Sequence, residues 1–232
     1  MVLKKFQTEY GKIHIQILGQ SDWKIDNNSK MENTQFIGIR DFIHNAVNHP
    51  HDKMYSARQV HGGRILNSSE LQSNTEEEGD GLCSYHTSHL LYIKTADCLP
   101  LFFWSDTNPV FGVLHIGWKG ASLHFVEDFF LKMKIEMPEI SFWNILFGPS
   151  ISMKNYTVQE DVAVYFQDGV NSLQKFTDGF KLGVKEYVNE KLENLPCSFH
   201  FYDLGICTYE DNNFFSHRRK CLGRNLNLIW TT

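Results

Sequence analysis

The chain has 232 residues, 42% hydrophobic and 21% charged, and its eighteen Phe alone supply much apolar surface for a core. A net charge of −5, from 22 basic and 27 acidic residues, leaves no polybasic footprint for nucleic acid. No apolar run approaches the roughly 20 residues of a membrane helix, and the first residues lack a signal-peptide core. Five cysteines without a framework spacing predict reduced thiols in a cytoplasm.

In chain order, Ile13, Ile15 and Ile17 alternate with polar residues and predict a half-buried strand. Phe36, Ile39, Ile43 and Val47 recur at helical spacing and predict an amphipathic helix over Thr34 to Val47. The polar, acidic stretch from Asn67 to Gly81 reads as a surface loop. Leu90 to Lys94 and Leu99 to Trp104 read as strands around a Thr95-Ala96-Asp97-Cys98 corner, followed by a third apolar run, Val110 to Ile116. Val126, Phe129, Phe130 and Met133 then favour a helix, with Ser122 as the expected cap. Phe142 to Phe147 reads as a strand, Gln159 to Phe166 and Lys185 to Leu195 as helices, and Ser198 to Cys207 and Asn225 to Trp230 as strands. Several strands are apolar on both faces, which favours an α+β arrangement of sheets covered by helices, in a single domain over residues 1–232.

Three side chains in this pattern carry chemistry. His61 lies in Gln59-Val60-His61-Gly62, Cys98 at the Thr-Ala-Asp-Cys corner, and His115 in His115-Ile116-Gly117-Trp118-Lys119-Gly120. Each sits at or near the end of an apolar run that stops at small residues, which suits presentation toward a common cleft. A thiolate and two imidazoles form a three-ligand set for zinc with a fourth position open, and their wide separations match no local zinc knuckle. The same donors suit copper. The alternative is a buried apolar Cys98 with two core histidines. No Cys-x-x-Cys pair, Walker loop or dinucleotide fingerprint occurs.

These motifs, together with Phe147-Gly148-Pro149-Ser150-Ile151 and Phe214-Phe215-Ser216-His217-Arg218-Arg219, resemble the YfiH/YlmD-like family, often labelled laccase-domain or polyphenol oxidase proteins. The resemblance runs from about Gln59 to the C-terminus. It implies a layered α/β/β/α fold with mixed sheets, and zinc held by His61, Cys98 and His115. It also implies phosphorolysis of adenosine, inosine or methylthioadenosine, and hydrolytic deamination of adenosine, with purine nucleoside and phosphate as partners; a monomer and a homodimer both stay open. The chain departs from the family at Lys119, where Arg is usual, at His217, where Tyr is usual, and at Leu222-Gly223-Arg224, where Thr-Gly-Arg is usual.

For deamination, zinc can acidify water for attack on C6 of adenine while a carboxylate moves protons. Asp97 is the first choice for that carboxylate and Asp80 the second; a turn role for Asp97 and a loop cap for Asp80 are the alternatives. Phosphorolysis needs cations around phosphate, and Arg218, Arg219, Arg224 and Lys119 are available, with Arg218 or Arg219 as a bidentate clamp, Arg218 as the expected catalytic residue, and Lys119 and Arg219 as expected substrate contacts. Gln59 is expected to orient His61 or contact the base. Trp118 is a stacking candidate, whereas Cys83, Cys197, Cys207 and Cys221 read as structural, and His86 and His89 as surface residues. Three rivals stand beside this reading: copper-dependent polyphenol oxidation, a metal-free cysteine hydrolase with Cys98 as nucleophile, and a non-enzymatic interaction protein.

Overall fold

The computed structural model describes residues 1–23, 35–47, 53–72 and 76–232. Two large mixed sheets dominate it. The first runs Val2–Thr8, Gly11–Leu18, Asn225–Thr231, His89–Thr95 and Lys53–Tyr55, antiparallel except for its last pair. The second runs Phe199–Asp203, Trp143–Phe147, Leu99–Trp104, Phe111–Ile116, Gly81–Ser84 and Ile65–Asn67, with a parallel pair at each end.

Alternation along the strands builds three apolar layers. Leu90, Tyr92, Leu226, Leu228 and Trp230 leave the first sheet on one side and meet Ile39, Ile43 and Val47, in or just beyond the helix Gln35–Ala46. Ile13, Ile15, Ile17, Leu91, Ile93 and Ile229 leave it on the other side and pack against Phe102, Trp104, Phe111, Val113 and Leu146 of the second sheet. The opposite face of that sheet offers Leu101, Phe103, Leu114, Ile116, Trp143 and Ile145. These meet Val126, Phe130 and Met133 of the helix Phe125–Glu136 and Tyr187, Val188 and Leu192 of the helix Val184–Glu193. The result is the α/β/β/α layering, because both central sheets are apolar on both faces and each face needs a cover.

Some local expectations change. The helix expected over Thr34 to Val47 is described from Gln35 to Ala46, and Thr34 lies outside the described residues. Ser122 does not cap the helix at Phe125. It closes a short helix, Trp118–Ser122, where its hydroxyl donates to the Lys119 carbonyl at 2.8 Å. A left-handed His124 (φ 56°) then separates the two helices. The stretch from Asn67 to Gly81 is more than a surface loop: Glu77–Glu78 pairs with Ala57–Arg58, and Asp80 is wholly buried. Within it, residues 73–75 lie outside the described residues. Gln159 to Phe166 divides into an α-turn, Glu160–Ala163, and a 3-10 turn, Val164–Phe166. The last expected strand but one shortens to Phe199–Asp203, with Gly205 in the left-handed region (φ 65°) just beyond it. A hairpin, Leu173–Phe176 with Gly179–Leu182, has no apolar alternation strong enough to announce it.

Phe103 is a sensitive point of the layer beneath the helices. It is fully buried and its ring centroid lies 4.9 Å from Phe129, 5.7 Å from Phe130 and 6.0 Å from Trp143. Phe103→Ala should lower unfolding free energy by about 3–5 kcal/mol in urea titration, the cost of a large buried cavity. A loss below about 1 kcal/mol would show that the layer collapses around the gap.

Candidate metal centre

The chain crosses from the first sheet to the second between Thr95 and Leu99, and Cys98 sits on that crossing. His115 is the penultimate residue of the neighbouring strand Phe111–Ile116, in register with Pro100. His61 comes from the turn that links Ala57–Arg58 to Ile65–Asn67. The donor atoms of His61, Cys98 and His115 all lie within 4.8 Å of one another. Three N and S donors on one zinc at 2.0–2.3 Å would stand about 3.4–3.7 Å apart, so a small closure brings this set onto an ion. Among the described residues it is the one group of three or more His, Cys, Asp or Glu side chains placed to hold a metal.

Asp80 lies directly behind the cluster. Its Oδ1 accepts from the His115 Nδ1–H at 2.8 Å and the His61 backbone N–H at 2.9 Å. Its Oδ2 accepts from the Gly62 N–H at 2.7 Å and the Val60 N–H at 3.3 Å. With Nδ1 committed to Asp80, the Nε2 of His115 is left for Cys98 or a metal. His61 is left-handed (φ 59°), a conformation costing a non-glycine residue about 1–3 kcal/mol, and three successive N–H groups closing on one carboxylate hold it there. Gly117 supplies clearance: a Cβ there would stand 3.1 Å from the His61 ring and 3.2 Å from the Cys98 sulfur.

The charges follow from this geometry. Burial alone would raise the Cys98 thiol, but hydrogen bonds and charge from His115 and His61 outweigh it and bring its pKa down to about 6. Burial would lower His115, yet Asp80 and the Cys98 thiolate raise it to about 9. Burial likewise opposes ionisation of Asp80, but the His115 bond and the Gly62 and His61 N–H groups hold its carboxyl below the usual range. The metal-free centre at neutral pH is therefore a thiolate–imidazolium pair backed by a carboxylate.

The cluster opens on a cleft of about 650 Å³. Arg58, Lys94, Arg218 and Arg224 stand in its wall, with Trp118, Tyr156, Ser150 and His217. The Arg218 guanidinium lies 4.9 Å over the Tyr156 ring and donates to the Thr157 carbonyl at 2.8 Å. Burial, with the nearby Cys98 charge, pushes the Tyr156 phenol up to about 12, so it stays protonated and able to donate.

The expected site residues fall into two groups. His61, Cys98, His115, Gln59, Asp97 and Arg218 all line the cleft. Gln59 spends its amide on the Lys94 backbone, donating to the carbonyl at 2.7 Å and accepting from the N–H at 2.8 Å, which splices the His61 turn to the first sheet. Asp97, left-handed at φ 81°, accepts from Thr208 Oγ1 at 2.6 Å, Ser216 Oγ at 3.0 Å and the Arg218 backbone N–H at 2.7 Å. Lys119 and Arg219 lie outside the cleft wall. Lys119 is exposed, with Nζ 5.6 Å from the Trp118 ring centre, and Arg219 bonds Asn212 and the Phe214 carbonyl within its own loop. Arg58, Lys94 and Tyr156 were not legible as site residues, since no motif marks them. His89, expected at the surface, is buried between the Ser68 and Ser84 hydroxyls at 2.9 and 3.1 Å, and burial lowers its pKa to about 4. All five cysteines are free.

Comparison with known proteins places the chain. The model of the family described as multi-copper polyphenol oxidoreductase laccase matches residues 29–232, and the chain belongs to that family. Its curated relatives include a purine nucleoside phosphorylase of Clostridium acetobutylicum, 30% identical over 184 residues and 74% of either chain. Another, from Campylobacter jejuni, is 26% identical over 163 residues and 69% of either chain. Among solved structures, the Neisseria meningitidis protein NMB0706 superposes with a TM-score of 0.79 at 19% identity, covering 99% of this chain and 98% of its own. YlmD of Geobacillus stearothermophilus gives 0.75 at 22% identity, over 95% and 91%. The fold is thus that of the YfiH-like proteins.

A metal that takes thiolate and neutral imidazole must expel the His115 proton. Between about pH 6 and about pH 9 its apparent affinity should rise about tenfold per pH unit, with about one proton released per ion. Below about pH 6 Cys98 is protonated as well and the dependence should steepen. Competition titrations across this range, with calorimetry in buffers of differing ionisation enthalpy, check both; pH-independent binding would refute the thiolate–imidazolium ground state.

Proposed function

We propose that the protein is a zinc-dependent purine nucleoside enzyme, which splits adenosine, inosine or methylthioadenosine with phosphate and also deaminates adenosine. What carries this reading is a thiolate–imidazole donor set, backed by a carboxylate, that opens on a cleft of about 650 Å³ with Arg218 and Arg224 in its wall. That volume is in the range of small-molecule sites. The curated relatives' name, purine nucleoside phosphorylase, supports the same chemistry. The donor set is closed enough for zinc and soft enough to prefer it over magnesium or calcium.

Bound zinc would supply Lewis acidity for activating water or polarising the purine. The chain's own residues do the rest. Arg218 and Arg224 hold phosphate near C1′ of the ribose, where its oxygen forms the new bond as the bond from C1′ to the purine nitrogen breaks. Trp118 and Tyr156 enclose the base, and the Tyr156 O–H donates a hydrogen bond to substrate. Asp97 acts by holding Arg218 in place rather than by moving a proton, because Thr208, Ser216 and the Arg218 N–H already engage its two oxygens. The exposed Lys119 and loop-bound Arg219 have no direct role in this reading.

A second reading rests on one observation. Cys98, His115 and Asp80 stand in the order of a Cys–His–Asp triad, so the metal-free protein offers an activated thiolate. Copper is also compatible with these donors, and the family's description names it. Metal content and spectra separate these from the zinc reading.

The test is incubation of metal-quantified protein with each nucleoside, with and without phosphate, resolving free base from deaminated product. Base release that needs both zinc and phosphate is expected; zinc-loaded protein that does neither reaction would overturn the proposal. Arg218→Ala should raise the KM for phosphate about tenfold, the loss of one charge-assisted contact. An unchanged phosphate KM would remove Arg218 from phosphate binding.

A further inference from the structure

We propose that Asp80 is the positioning residue of the metal centre, one carboxylate that sets both histidine ligands at once; this rests on the metal reading of the cluster. Asp80 has no solvent exposure, and its side chain makes four contacts, all to the two ligand-bearing segments. Toward His115 the grip is double. The side chain takes the Nδ1–H, and the Asp80 carbonyl accepts the His115 backbone N–H at 2.7 Å. Ring orientation, tautomer and strand position of that ligand are therefore fixed by one residue. Toward His61 the grip is on the backbone alone. The N–H groups of Val60, His61 and Gly62 converge on the carboxylate, and this convergence keeps His61 left-handed.

The two grips share Oδ1, which receives the His115 ring and the His61 N–H together. A displacement of Asp80 thus moves both imidazoles relative to Cys98. Asn at this position keeps the shape but replaces one oxygen by a donor. Whichever way its amide turns, NH₂ faces either the His115 and His61 donors or the Gly62 and Val60 donors. Asp80 itself is sealed from the cleft and acts only through the ligands it orients.

The experiment uses the full chain. Asp80→Asn should weaken zinc affinity by about 10- to 100-fold, the range usual for loss of a ligand's outer partner. In cobalt-substituted protein it should also shift the visible absorption, because the ligand angles change. A purely structural residue would lower the melting temperature and leave metal affinity and cobalt spectrum alone; that result would overturn the proposal. If the variant does not fold, the unsubstituted protein decides. Nitrogen-15 spectra of zinc-loaded protein should show His115 protonated at Nδ1 and metal-bound at Nε2, and metal on Nδ1 would overturn the proposal. If the unsubstituted protein binds no zinc, it is the metal reading that fails, whereas zinc binding unaffected by Asp80→Asn defeats the Asp80 role alone.

Discussion

A single carboxylate without access to solvent sits between the two histidine-bearing segments, and the architecture around the cleft depends on it. A buried negative charge is stable only if its acceptors are filled and positive charge lies close. Asp80 meets both conditions with three backbone N–H groups and the His115 ring. The converse also holds. The left-handed turn at His61 and the charged His115 imidazole are each unfavourable alone, and the shared carboxylate offsets both. The thiolate at Cys98 adds a second negative charge across the ring, so His115 is flanked by an anion at either nitrogen.

A second buried aspartate repeats the device. Asp97 is also left-handed and nearly buried, and its carboxylate collects Thr208, Ser216 and the Arg218 N–H from two distant loops. Its carbonyl accepts the Ile151 N–H at 3.0 Å. The residue immediately before the thiol therefore ties the sheet crossing to the segment carrying Arg218. One buried aspartate thus stands behind the His61–Cys98–His115 donors and another behind the loop that carries Arg218. Strain in the two left-handed residues is tolerated because the surrounding hydrogen bonds over-determine them.

Much of the fold was legible because the central strands are short apolar runs, buried on both faces and bounded by polar or small residues. Leu90 to Lys94, Leu99 to Trp104 and Asn225 to Trp230 are found as strands with at most a residue or two added at either end. The convergence of His61, Cys98 and His115 was legible because three soft donors stood beside small residues at or near strand ends. Roles that depend on hydrogen bonds across the fold were not legible. Asp97 adjoins Cys98 in sequence and so invited a chemical role, while Asp80, well before the thiol in the chain, is the carboxylate that touches the cluster. Its setting, Gly79-Asp80-Gly81 after three glutamates, reads as a solvated loop, and only tertiary burial reveals otherwise. Lys119 and Arg219 stand outside the cleft wall for a related reason: adjacency to a motif does not fix on which side of a helix or loop a side chain emerges.

Lys119, His217 and Leu222 stand where the resembled motif usually has Arg, Tyr and Thr. Lys119 in place of Arg loses a planar fork, a change that would matter at a bidentate anion site. Here the side chain is exposed, its ammonium lies 5.6 Å from the Trp118 ring centre, and it is not part of the cleft lining. The substitution therefore changes a stacking contact rather than the cation content of the cleft wall. His217 is different, since it lines the cleft beside Arg218. An imidazole there replaces a single hydroxyl that both donates and accepts by two separated ring nitrogens, at a place where Tyr156 already supplies a phenol held in its protonated form. Arg224 remains in the wall although the residue two places before it is Leu222, which is almost fully exposed and contributes no contact to the cleft. Of these positions, His217 lines the cleft and Lys119 and Leu222 do not, so the substitution at His217 is the one that changes the cleft wall.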